Sequence, residues 1–313
     1  MKAGFHCYPT RQRTLRFRLR SAIQSRSQTV HYLIPLLIIS TALNISACSS
    51  IVSSASNRLA DNVTKGLISQ DDPEIARLGA PAYLVLIDGF IENDPENAAM
   101  LAAGADLYST YAGAFVTDIN RSKRLTQKAF NYGRRSLCLQ QSVTCGMDRL
   151  PHSEFLSVLK NVGKDHIAPL FSYSISWISW IQAHSDNLGA VASLPKAQSA
   201  LEHILKLDEG FKHGDVHLYL GVLNSLIPPS LGGKPEVAKA HFERALELSE
   251  GHNLMVQVLY ARHYSRMLFK RDLHDKLLKT VVGADPYQPG YTLSNVLAQE
   301  QAKALLEGAD DFF

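Results

Sequence analysis

Two short stretches of this 313-residue chain contain side chains that are common in catalytic or metal sites. His213, Asp215 and His217 lie within five residues and are suitable metal ligands by type. The alternative is that Asp215 caps the next helix and His217 lies on its first turn, which is our expectation. Ser157 and Lys160 have the S-x-x-K spacing of penicillin-binding enzymes, but the companion motifs are absent from the sequence. We therefore expect no metal and no catalysis at either stretch.

A Gly-Gly-Lys stretch at 232–234 is similarly not a phosphate-binding loop. A P-loop needs glycine where Pro228 stands and Ser or Thr where Pro235 stands. The chain also lacks the H-E-x-x-H pattern of zinc proteases and the G-x-S-x-G pattern of serine hydrolases. We predict a protein that is not an enzyme and that carries no cofactor.

The N-terminal segment has the order of an export signal that ends in a cysteine. Residues 1–47 contain seven basic and no acidic side chains, and an apolar run follows at 32–47. The run ends in Ile45-Ser46-Ala47-Cys48, which resembles the lipobox of bacterial lipoproteins. We predict that 1–47 is a cleaved signal peptide and that Cys48 carries the lipid anchor; the alternatives are a transmembrane anchor or a soluble secreted form. By lipoprotein sorting rules, Ser49 favours the outer membrane.

Net charge argues against a nucleic-acid partner. Without the basic residues of 1–47, the chain has 25 basic and 29 acidic residues, so the positive formal charge is confined to the signal segment. The two remaining cysteines, Cys138 and Cys145, are close in sequence. An oxidising compartment would favour a disulfide between them, and two unpaired thiols are the alternative.

Helical periodicity dominates the remainder of the chain and predicts an all-α fold. Ala238, Phe242 and Ala245 fall on one helix face in the small-large-small pattern of a tetratricopeptide unit. Large residues recur at equivalent points, Leu201 and Leu277, at intervals close to the tetratricopeptide period of about 34 residues. We predict a single domain of stacked antiparallel helix pairs over 71–313, tethered to the lipid by residues 48–70.

Two groups of residues are candidates for recognition. An aromatic set can line a ligand cavity between helix pairs, with core packing as the alternative. Its members are Tyr173, Trp177, Trp180, Tyr219, Tyr260 and Tyr264. A stiff loop between helices can be a docking edge for a partner protein or only a spacer. Its candidate contact residues are Pro228, Pro229, Leu231, Gly232 and Gly233.

Three segments of the chain resemble the T-component (TatT) family of TRAP-transporter-associated lipoproteins. They are "DDPEIARLGAPAYLVLIDGFIENDPEN", "SYSISWISWIQAHSDNLGAVASLPKAQSALEHILKLDEGF" and, most specifically, the stretch from His217 to Pro286. The resemblance implies a tetratricopeptide-like lipoprotein in the periplasm whose partner is a TRAP solute-binding protein. It also implies a role in uptake of a hydrophobic or amphipathic ligand, and it supplies no catalytic residues.

Two functions follow as hypotheses. In the first, the protein is a lipid-anchored adaptor that docks a solute-binding protein and binds or passes on its ligand. In the second, the helical repeat is an envelope scaffold that holds proteins together and carries no ligand. Self-association of the repeat is left open under both.

Overall fold

The structure is a computed structural model that describes residues 57–313, without the side chain of Leu231. This range is helical throughout and contains no strand, so the predicted all-α class is confirmed. The helices are α1 (57–68), α2 (Pro73–Asn93), α3 (Ala98–Phe115), α4 (Ile119–Gln140), α5 (His152–Leu159), α6 (Ile167–Ala183), α7 (Leu188–Ala192), α8 (Leu194–Leu207), α9 (Asp215–Asn224), α10 (Pro235–Leu248), α11 (Leu254–Leu259, continuing as a π-helix over Tyr260–Ser265), α12 (Arg271–Gly283), α13 (Thr292–Glu307) and α14 (Ala309–Phe312).

Several predicted features lie outside the described residues. The signal peptide 1–47, the lipid-attachment residue Cys48 and the first part of the tether, to residue 56, are among them. The rest of the predicted tether contains α1, which contributes Ala60 to an apolar cluster with α2, α3 and α4. None of the helices over 57–313 is long and apolar enough to cross a bilayer.

Helix termini are fixed by side chains, some of them from distant helices. Asp72 caps α2, where its carboxylate accepts the backbone N–H of Glu74 at 2.8 Å. The N-terminal end of α11 is held by a side chain of α13 and not by a residue of its own cap. The Asn295 side chain accepts the N–H of Leu254 at 3.0 Å and donates to the carbonyl of His252 at 2.9 Å. Asn295 is fully buried, so these bonds lock α11 to α13.

The apolar pattern of α10 is buried as its spacing predicts. Ala238, Phe242 and Ala245 each have no exposed surface. The Phe242 ring stacks on Tyr260 of α11 with 4.9 Å between centroids, and it leaves no room for a Cβ at Gly221 of α9. Consecutive helices α3 and α4, α9 and α10, and α12 and α13 pack as neighbours. A tetratricopeptide geometry for these pairs stays a prediction.

A series of helix contacts returns to its starting helix. It runs from α2 to α3 and α6, and from α9 to α11, α13 and back to α2, while an aromatic pair joins α6 to α9. The α6–α9 step includes an edge-to-face pair of Phe171 and Tyr219 at 6.1 Å. At the closing step, the Tyr287 hydroxyl lies 3.2 Å from the Asp71 carboxylate, 216 residues away in sequence.

Cys138 of α4 and Cys145 form a disulfide with a Cα–Cα distance of 4.6 Å. The bond fixes the C-terminal end of α4 to the short 3₁₀ turns that precede α5. The adjacent α5, α6 and α8 surround a second apolar cluster that includes Phe130, Phe155 and Trp177.

Candidate functional site

A strained turn between α8 and α9 presents an exposed lysine whose ammonium group lies against α6. Lys212 and His213 both have left-handed backbone angles, with φ of 49° and 50°, and Gly214 follows with φ of 95°. A Cβ at Gly214 would lie 3.1 Å from the backbone of Ala245, so glycine is needed there for space as well as conformation. Left-handed non-glycine residues cost free energy and cluster at functional sites. The turn carries the Lys212 ammonium to 4.7 Å from the ring centroid of Phe171.

Asp215 does not cap α9, contrary to the expectation from its sequence position. Gly214 occupies the N-cap position and no side chain caps this helix end. The Asp215 carboxylate instead accepts a hydrogen bond from the Asn253 amide at 3.2 Å. Burial raises the pKa of Asp215 to about 6, although the positive charges of Lys212 and His213 oppose the shift.

A second carboxylate approaches the same lysine from α3. Asp106 interacts with the Lys212 charge and lies near the Ser172 hydroxyl, yet burial raises its pKa. Tyr219 lies within electrostatic range of both Asp106 and Asp215, and burial raises its pKa as well. Tyr291, which precedes α13, has its pKa raised by burial and by Asp215.

We call this group the central polar cluster. Its members are Asp106, Ser172, Lys212, Asp215, Tyr219, Asn253 and Tyr291. Asp106, Asp215 and Tyr219 keep some accessible surface, although desolvation is the largest cause of their pKa shifts. We interpret the two observations together as a recess that opens to solvent. The cluster therefore offers hydrogen-bond donors and acceptors, one cation and an aromatic wall of Phe171, Phe211 and Tyr219.

The aromatic set proposed from the sequence is divided between two apolar clusters. Tyr173 and Trp177 pack around Phe130, with ring centroids 5.9 and 5.5 Å away, while Tyr260 and Tyr264 pack beside Phe242. These four candidate rings have at most 3% exposed surface. These four rings are core residues, which the sequence analysis gave as the alternative to lining a ligand cavity.

Trp180 and Tyr219 differ from the other four rings because they remain partly accessible. The Trp180 indole donates to the Gln127 side chain at 2.8 Å on the outer side of α4. Tyr219 belongs to the central polar cluster. Of the six predicted residues, Tyr219 alone thus lies beside the recessed polar groups.

The histidines of the same sequence stretch are also separated. His213 is exposed on the strained turn, whereas His217 is buried with its Nδ1 2.9 Å from Nδ1 of His241. Burial, aided by the nearby His241, lowers the pKa of His217 to about 4. Across residues 57–313, no group of three or more His, Cys, Asp or Glu side chains is arranged to hold a metal ion.

The predicted partner loop is exposed and internally constrained. Pro228 and Pro229 are exposed, as are Leu226 and Ile227 directly before them. Gly232 has φ of 86°, and a Cβ at Gly233 would collide with the carbonyl oxygen of Ile227. The loop therefore presents a short apolar edge in one conformation.

Fold and central cluster together define a protein that is all-helical over the described residues and has a polar cluster shared by several helices. The model of one protein family, the TRAP transporter T-component, matches residues 69–313 of the chain. The chain belongs to this family, as the sequence resemblance predicts. A search of curated proteins gave no match. Family membership gives the chain an accessory role in TRAP transport.

Proposed function

We propose that the protein is a lipid-anchored, periplasm-facing adaptor of a TRAP-type uptake system. It docks a solute-binding protein and binds or passes on an amphipathic ligand without catalysing a reaction. The observation that carries this proposal is the central polar cluster: largely desolvated carboxyl groups of α3 and α9 lie beside aromatic rings of α6 and α9, an arrangement that no apolar core requires. Polar groups beside aromatic rings suit a ligand that has both a polar and an apolar part.

Docking is assigned to the loop between α9 and α10. Its exposed Leu226 and Ile227 are 48% and 49% accessible, and the adjacent prolines and Gly233 hold their backbone in place. An apolar edge that is already ordered loses little conformational entropy on binding. The anchor predicted at Cys48 would keep this edge at one membrane surface, so that even weak docking would be effective.

The docking test uses the full chain and a TRAP solute-binding protein from the same organism. We expect Ile227→Asp to weaken their association about tenfold or more, because a charge would be buried at the interface. Leu188→Asp is the matched control, since Leu188 is an exposed apolar residue (87% accessible) on the distant α7. Equal loss in both variants, or in neither, argues against the loop as the docking edge.

The anchor is tested separately. Cys48→Ala is expected to leave a stable protein that no longer partitions with membranes, because acyl chains supply the membrane affinity of a lipoprotein. Continued labelling of this variant with radioactive palmitate would contradict the assignment of Cys48.

The scaffold hypothesis is favoured by an exposed apolar face on α2. Ile75, Leu78 and Val85 are 55%, 63% and 71% accessible and lie on one side of the helix, together with exposed Ala82 and Leu86. Contiguous exposed apolar surface is typical of protein interfaces. Native mass spectrometry separates the two functions: a co-purified small molecule supports the adaptor, and an empty protein in complex with unrelated envelope proteins supports the scaffold.

A further inference from the structure

The element formed by α11 and its π-helical continuation has one partly accessible face. Between Leu254 and Arg266, all other positions are buried. The partly accessible positions are Met255, Leu259, Arg262, His263 and Arg266. The face is therefore apolar at its beginning and cationic at its end. It starts directly after Asn253, which donates to Asp215 of the central polar cluster.

The cationic end coincides with the π-helical turn Tyr260–Ser265. A π-turn inserts a residue into the helical repeat and exchanges i→i+4 hydrogen bonds for weaker i→i+5 bonds, and it occurs frequently at functional sites. Here it lies where the accessible face changes from Leu259 to the adjacent pair Arg262 and His263. The irregular turn thus carries one guanidinium and one neutral imidazole on the accessible face.

No carboxylate balances the charge of Arg262. Burial lowers its pKa, and the positive charge of Arg266 adds to the shift. Arginines elsewhere in the described chain show the opposite behaviour: the pKa values of Arg77, Arg244 and Arg271 are raised by hydrogen bonds to carboxylates. A desolvated guanidinium without a counter-ion is costly and is expected where an anion is to be bound.

The side chains of His263 and Arg266 also lack an acidic partner within residues 57–313. Burial lowers the pKa of His263 to about 4, with Arg262 as the further cause and no acidic group contributing. Arg266 stacks on the Phe312 ring at 4.4 Å, while its buried Nε has no hydrogen-bond partner within residues 57–313. Three side chains of one helix face thus carry hydrogen-bond donors that no acidic group within residues 57–313 pairs with.

We propose that Arg262, His263 and Arg266 form an anion subsite for the head group of an amphipathic ligand, whose apolar chain lies along Leu259 and Met255. The head group is a carboxylate or a phosphate, both of which accept paired hydrogen bonds from a guanidinium. The subsite rests on the proposed function, because it specifies the ligand that the adaptor carries.

Isothermal titration of the amphipol-stabilised full chain with eight-carbon probes tests the subsite. Octanoate and octyl phosphate carry the two head groups, and octan-1-ol has the same chain without charge. We expect at least one anion to bind about tenfold or more tightly than octanol, and Arg262→Gln to remove that advantage while leaving octanol affinity unchanged. The preferred anion identifies the head group as carboxylate or phosphate.

Two controls make the result decisive. Arg124→Gln removes an exposed arginine of α4 and is expected to leave all affinities unchanged. Arg262→Met keeps the side-chain bulk without the charge, and it is expected to melt no lower than wild type while losing anion preference. Equal affinity of the anions and octanol, or full anion affinity in Arg262→Gln, overturns the subsite. If the wild-type chain does not bind a TRAP solute-binding protein, the adaptor function is overturned. A charge-dependent affinity for the eight-carbon probes would still support the anion subsite.

Discussion

Helices α4 and α11 both carry several cations, and they use them differently. Five cations of α4 have partners: Arg121 with the Tyr111 hydroxyl, Lys123 with Asp186, Lys128 with Asp88, Arg134 with Asp148 and Arg135 with the Pro95 carbonyl. On the π-helical end of α11, Arg262 and His263 have no hydrogen-bond or ion-pair partner within residues 57–313. Helix α4 therefore uses its charged side chains to position neighbouring segments. The charge of Arg262 on α11 is not balanced by an acidic side chain of the described residues.

The anchoring on α4 centres on Asp88. Its carboxylate accepts hydrogen bonds from Tyr108 of α3 at 2.7 Å and Tyr132 of α4 at 2.8 Å, and it pairs with Lys128. One acidic group of α2 therefore ties three helices together. No acidic group has this role beside Arg262.

The largest expected effect concerns the core behind α11. Phe242→Ala should lower the free energy of unfolding by about 3–5 kcal/mol, because the ring that supports Tyr260 is replaced by a cavity. Urea denaturation followed by circular dichroism measures the change. Phe269→Ala, which truncates a 71% exposed ring, is the control and should change stability by about 0.5 kcal/mol or less. An unchanged urea midpoint for Phe242→Ala would mean that α10 and α11 pack in another register.

Removing the carboxylate of Asp88, which anchors α4, should have the next largest effect on the free energy of unfolding. Asp88→Ala leaves two tyrosine hydroxyls and Lys128 without their acceptor, and we expect a loss of about 2–4 kcal/mol. Asp61→Ala on the exposed side of α1 controls for loss of negative charge. If both variants unfold at the same urea concentration as wild type, α4 is not anchored by Asp88.

The disulfide at the end of α4 should contribute less. Replacing both Cys138 and Cys145 by Ser is expected to lower stability by about 2 kcal/mol, because the loop that the bond closes is short. The reductant dithiothreitol should produce the same change in wild type and none in the variant. A reductant effect that persists in the double variant would contradict this origin.

Low pH should destabilise the folded protein through protonation of His263 on α11. Its pKa of about 4 lies below the ordinary value, so the folded state favours the neutral ring and the unfolded chain binds the proton first. This contribution to stability is complete above about pH 6.5 and is lost as the pH falls toward 4. His263→Gln should reduce the acid-induced loss by about 1–2 kcal/mol.

Urea unfolding at pH 7.5 and pH 5 gives the slope of the free energy of unfolding against pH. His217, whose pKa is also about 4, acts in the same direction, so the variant should retain part of the wild-type slope. Identical slopes for wild type and His263→Gln would show that His263 is solvated.

The smallest effect is a difference in sign between the two helices. Lys128→Met removes a paired cation and should lower stability by about 1 kcal/mol. Arg262→Met removes an unpaired, partly buried cation and should raise stability by about 1 kcal/mol, as replacement of a costly charge does. Thermal denaturation in low salt without added anions measures both. The same sign in both variants would remove the distinction between the helices.

Local features of this fold could be predicted from the sequence. Helix periodicity gave the buried register of Ala238, Phe242 and Ala245, because neighbours on one helix face are fixed by spacing alone. The aromatic set was not resolved in this way. Periodicity marks Tyr173 and Tyr219 alike as semi-apolar helix positions, and only the packing of other helices makes one a core residue and the other a wall of the recess.

The central polar cluster could not be predicted for the same reason. Asp106, Asp215 and Tyr291 come from α3, α9 and the segment before α13, and no local pattern encodes how these distant segments pack. Asp215 also looked like a helix cap from its position, while the left-handed turn before it moves that role to Gly214. The π-turn has no residue signature of its own, so the unpaired state of Arg262 appears only once its surroundings are known.

The contact of Tyr287 with Asp71 has a consequence for the order of folding. A chain delivered from its N-terminus presents α2 long before α13 exists to meet it. Closing a segment of this length carries a large entropic penalty, which makes it a slow and late event. We therefore expect the N-terminal helices to form an open arc first, with the acidic groups of the cluster more hydrated than in the folded protein, until the last long helix docks.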